Sequence, residues 1–215
     1  MAQRWWERLP AAERREYQRS EAIGRVPLRA SEALGRDVEA LAGALRSDRR
    51  PETERCAERL VGRICRDLGA PEVAVRVAGE RPHDRRGELH GLYRTRSGPA
   101  RDTITVWMRT AKRHDVVASR TFLRTLLHEV VHHLDMCLYD LPNSYHSAGF
   151  YRRESSLFRT VVRGTSLEGG ARPIRSADGA PGGRPGSTGE GDVDGIALLR
   201  AAAQAIQSRA IPRRD

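Results

Sequence analysis

Between Thr121 and Leu138 apolar residues recur at helical spacing, and His128-Glu129-Val130-Val131-His132 lies inside that run. Advancing about 100° per residue gathers Leu123, Leu126, Leu127, Val130, Leu134, Cys137 and Leu138 into one arc. His128, His132 and Asp135 gather on the opposite side, Glu129 lies roughly a quarter-turn from His128, and His133 turns away from both histidines. Histidines four apart on a helix stack one turn above the other, so both imidazoles face one point in space. Neutral imidazole nitrogens suit a zinc ion, and the carboxylate of Glu129 is placed to take a proton from a water there. Few patterns constrain a chain more: the helix must be amphipathic, its ligand side must be covered, and a third donor must return to it.

The chain has 215 residues, 39% hydrophobic and 31% charged. That supports one domain of ordinary size with a modest core and polar ends. No apolar run is long enough to cross a membrane, and Met1 to Glu7 lacks the apolar core of a secretion signal. Cys56, Cys65 and Cys137 form no C-x-x-C pair, and all three fall at apolar helix positions, so they read as buried free thiols. A cytoplasmic, reducing setting is the expectation, with any metal held by histidine and carboxylate. The formal charge of +10 favours polyanions, DNA among them. Lys112 is the only lysine, so the charge is nearly all arginine, and that bias also follows from genome base composition.

Residues 1–30 read as an N-terminal helical extension, opened by Pro10 and docked through Trp5 and Trp6. Ser31 caps a helix with Leu34, Val38, Leu41 and Leu45 inward. A second helix runs from Pro51 to Leu68, ended by Gly69. Val73, Val75 and Val77 alternate as in a strand, a second strand spans Glu88 to Arg94, and Ile104, Val106 and Met108 mark a third. His83, His90 and His114 fit no ligand spacing and read as surface or loop residues. After the turn at Leu141-Pro142-Asn143-Ser144, a further helix is predicted from about Ser144 to Val162. Residues 165–195 read as a Gly/Pro-rich flexible linker, and 196–215 as a short helix with a basic tail. The domain proper is therefore 31–164.

Two histidines leave a catalytic zinc short of its usual three protein ligands. His146, just past the turn, and Glu154, two turns into the next helix, are both placed to supply the third. The residues alone leave that choice open.

The set His128, Glu129, His132 and His146, with Phe150 four residues on, resembles the SprT-like zinc metalloproteases, the Spartan-related family. Ser147 stands where that family usually has glycine. The likeness runs from about Ser31 to Gly164, and no cysteine follows it to build an accessory zinc ribbon. The resemblance implies an α+β, zincin-like compact metallopeptidase domain, a small sheet of three or more strands packed on helices. It implies Zn2+ on His128, His132 and His146, Glu129 as general base, and an extended protein or peptide substrate paired with a sheet edge. Around that core, Asp135 is a candidate to orient a ligand histidine, Tyr145 or Tyr151 to donate to an oxyanion, and Glu154 to support the ligands from behind. The expected function is zinc-dependent peptide hydrolysis, extending to DNA-associated proteins. Two alternatives stand beside it: a non-catalytic, zinc-stabilised nucleic-acid-binding protein, and a gluzincin-type peptidase with Glu154 as third ligand.

Overall fold

The computed structural model describes residues 5–84, 87–96 and 101–168. The linker and C-terminal helix expected beyond residue 168 lie outside the described residues. A 3-10 turn at Trp5–Arg8 leads into α1 (Ala11–Ala22), followed by α2 (Glu32–Arg46) and α3 (Arg50–Leu68). Ser31 caps α2 by accepting from Leu34 N–H, and Gly69 ends α3 with the left-handed φ of 67° that a glycine tolerates. Strands β1 (Ala74–Glu80), β2 (His83–Asp84), β3 (Gly87–Glu88), β4 (Gly91–Arg94) and β5 (Thr103–Arg109) follow. Then come α4 (Ser119–Cys137), which carries the histidine pair, and α5 (Ala148–Val162). The fold is mixed α+β.

Three strands form the main sheet in the order β1-β5-β4, with β1 parallel and β4 antiparallel to β5. The expected second strand is broken: β2 and β3 make a separate hairpin, and only Gly91–Arg94 joins the sheet. Val75, Val77, Ile104, Val106 and Met108 are buried, as their alternation required. Helix α3 packs on β1, α2 on α3, and α4 across β4 and β5. α5 lies against α4, and α1 lies against α5. Helix side chains reach both outer strands. The Val77 N–H of β1 donates to Glu54 of α3, and Arg50 donates to the Val77 carbonyl, so helix side chains occupy that edge. β4 forms the other edge, beside α4.

One expectation needs correction. The last helix starts at Ala148 rather than near Ser144. Ser144 has a positive φ of 38°, which no helix accommodates, and the Ser147 hydroxyl accepts from Phe150 N–H as the true cap. The ligand side of α4 is covered: Glu129, His132 and Asp135 are all buried. Among the described residues, no helix is long and apolar enough to cross a membrane.

Candidate metal centre

Helix α4 places His128 and His132 one turn apart, and the segment between α4 and α5 brings His146 back to them. One nitrogen from each lies within 4.8 Å of the others. The His132 and His146 Nε2 atoms are 3.0 Å apart. Phe150, from the first turn of α5, closes the site from below. Its ring centre is 4.9, 4.7 and 4.8 Å from those of His128, His132 and His146. A floor of carbon under three imidazoles excludes water from that side.

Hydrogen bonds behind the rings select the tautomers. The Ser144 hydroxyl donates to Asp135 at 2.9 Å, so its oxygen is left to accept from His132 Nδ1–H at 2.8 Å. His132 Nε2 then carries the lone pair. Glu154 lies 3.3 Å from His128 Nδ1, where a carboxylate accepts a proton, and this likewise leaves the Nε2 of His128 as the donor to a metal. Asp135 is fixed in turn by Arg153, through two bonds of 2.9 and 2.8 Å, with both side chains fully buried. Burial holds the His132 pKa well below the usual imidazole range, and the neighbouring His128, His146 and Arg153 lower it further. Burial works the same way on His128, but there Glu154, Glu129 and Asp135 outweigh it and the shift is upward.

Glu129 is buried beside His128. Burial pushes its carboxyl up to about 7, against the pull of His128 and of the Tyr93 N–H that donates to it. β4 touches it directly: a Cβ on Gly91 would collide with the Glu129 carboxylate. Glycine is required there because edge strand and carboxylate share the space.

Helix α1 belongs to this architecture. Glu16 accepts from the Asn143 N–H at 2.7 Å and from its side-chain amide at 2.6 Å. Glu13 accepts from the Tyr145 hydroxyl at 2.7 Å, and Ser20 meets Ser147 at 2.8 Å. Arg153 donates to the carbonyls of Ser20 and Ile23. The whole segment carrying Ser144 and His146 is thus clasped by residues 13–23. A Cβ on Gly149 would overlap the Ser20 backbone, so α1 and α5 meet at that glycine. Trp6 stacks on Tyr17, and Trp5 sits edge-on to Tyr17 and Tyr145 while half exposed.

No family model, curated protein or solved structure matches the chain. The site therefore rests on its own geometry.

His128, His132 and His146 come together as one potential metal-binding set. Glu154 stands behind His128 rather than within that set. Asp135 reaches His132 through Ser144 rather than directly. The Tyr145 hydroxyl is taken by Glu13, whereas the Tyr151 ring lies 5.9 Å from that of His146. His133 is a buried structural residue between the Pro71 carbonyl and Tyr93. His114 is exposed and pairs with Glu80, and His90 is half-buried in the loop between β3 and β4. Sequence reasoning missed Ser144, Arg153 and the α1 acids. The Leu141-Pro142-Asn143-Ser144 turn and an arginine falling on the apolar stripe of the last helix were the hints.

Proposed function

We propose that this chain is a zinc-dependent metallopeptidase of the SprT-like, zincin type. The observation that carries the reading is the convergence of His128, His132 and His146 beside the buried carboxylate of Glu129. The donor set suits zinc: three imidazoles, two with Nδ1 engaged so that Nε2 is available. The 3.0 Å approach of two Nε2 atoms also calls for a shared cation or proton between them. When bound, zinc would lower the pKa of that water towards about 7 and polarise a scissile carbonyl.

The protein's own groups perform the rest. The Glu129 carboxylate takes the water's proton and returns it to the leaving amine, a task matched to an acid strength near neutrality. β4 offers its outer edge to an extended substrate, which sets the scissile bond beside Glu129. Oxyanion donation is assigned to Tyr151, whose ring lies 5.9 Å from that of His146.

In the test, Glu129→Gln retains one zinc per chain and loses about 10²–10⁴ of the cleavage rate on an unfolded protein substrate. Unchanged cleavage by that variant overturns the mechanism. His146→Ala discriminates the third ligand: loss of zinc supports the histidine set, and full retention supports Glu154.

A further inference from the structure

Among the large apolar side chains of the described residues, Trp5 is the most exposed, at 50%. It is nonetheless tied down. The Leu9 N–H closes the 3-10 turn Trp5–Arg8 on the Trp6 carbonyl at 3.2 Å, and Arg14 of α1 donates to the Glu7 carbonyl at 3.1 Å. The Trp5 ring stands edge-on to Tyr17 at 5.4 Å and to Tyr145 at 6.1 Å, and those two tyrosines lie 6.1 Å apart. Trp6, stacked on Tyr17 at 5.4 Å, is the more covered of the two tryptophans and docks the turn. Trp5 keeps half its surface in water, beside the segment that returns His146 to the site.

Tyr145 directly precedes His146, so the aromatic cluster starts one residue from the histidine set. β4 meets that set from the sheet side, where Gly91 touches Glu129. Tyr145 and Trp5 meet it from the α1 side. A chain laid along β4 therefore passes between backbone on one flank and aromatic rings on the other. The acids of the α1 side are engaged, Glu13 by the Tyr145 hydroxyl and Glu16 by Asn143, so this wall presents carbon rather than charge. Tryptophan and tyrosine offer large contact area with few rotatable bonds, so an apolar group packs on them at low entropic cost.

We infer that Trp5 and Tyr145 form a subsite for one large apolar side chain, aromatic or branched aliphatic, of a bound extended polypeptide. The inference rests on the peptidase reading for the path of that polypeptide along β4. An extended chain advances about 3.3 Å per residue, so the side chain concerned lies a few residues from the scissile bond, roughly 7–13 Å along the strand. The substrate class is then an unfolded segment that exposes core residues, since folded proteins keep most such side chains inside.

The test uses short fluorescein-labelled peptides of glycine, serine and alanine carrying one Phe, with an all-small peptide as reference. Binding to the full chain bearing Glu129→Gln, with zinc added, is read by anisotropy, and cleavage by the parent chain is mapped by mass spectrometry. The Phe peptides are expected to bind about 10-fold more tightly than the reference, and the cut to fall at a fixed distance from Phe. Trp5→Ser lowers the preference to about 2-fold or less and scatters the cut, and Trp5→Phe restores both. Equal losses for Phe and reference peptides make Trp5 a docking residue of the N-terminal turn and overturn the subsite. An undiminished preference in Trp5→Ser overturns it as well. If the Trp5-dependent preference is present in binding but the parent chain cleaves no peptide, the subsite stands and the peptidase reading falls.

Discussion

Ser144 has a role out of proportion to its size. Its hydroxyl makes the hydrogen-bonded link, among the described residues, between His132 and the buried Asp135–Arg153 pair. Removing it leaves the imidazole free to rotate or change tautomer while the ion pair survives. Ser144→Ala is expected to weaken zinc binding by about 10–100-fold with little change in fold, measured by competition with a chromophoric chelator. An unchanged affinity would show that packing on Phe150 alone orients the ring. His90 supplies a test unconnected with the metal. Burial, with a smaller push from Arg81 and against the opposing pull of Glu88, holds its pKa to about 4, below the ordinary value near 6.5. The unfolded chain therefore takes up this proton first. The His90 contribution is fully present above pH ~6.5 and is lost as pH falls towards 4. Urea midpoints for the parent and His90→Asn chains should converge across that window; parallel curves would mean that His90 does not titrate there.

The elements differ in how far their sequence announced them. α4 was legible because ligands and core residues share one helix, where a 3.6-residue period sorts them without knowledge of the fold. α2 and α3 were legible from their caps and from the apolar stripe of Leu34, Val38, Leu41 and Leu45. β4 was not resolved from its neighbours, since Gly87 to Arg94 holds one arm of a hairpin and a sheet strand in eight residues with no alternation to separate them. α1 was read as an appendage because its contacts with Asn143, Tyr145 and Ser147 span more than a hundred residues of sequence, beyond the reach of any local pattern. The joint between α1 and α5 is nonetheless specific. Gly149→Ala must push the two helices apart, at a cost of about 1–3 kcal/mol in urea unfolding. A neutral result would show that α1 can shift along α5 without loss.

At the scale of the molecule, the site lies between two bodies of structure. The sheet and α3 support α4 from one side, and α1 with α5 supports the returning segment from the other. His128 and His132 belong to the first body and His146 is held by the second, so a metal shared by all three would join them. Binding at one place and docking at another are then linked, and linkage is reciprocal. If residues 13–23 raise the affinity for metal by fixing Ser144 and His146, metal must hold α1 in place by the same free energy, although none of the metal-binding set lies on α1. Hydrogen exchange reads that directly. Chelation should speed amide exchange throughout Ala11–Ala22 and leave α3 unchanged; equal protection of α1 with and without metal would mean that the clasp is indifferent to what it encloses. A helix that sequence alone assigns to the periphery would thereby report, amide by amide, whether the metal centre is loaded.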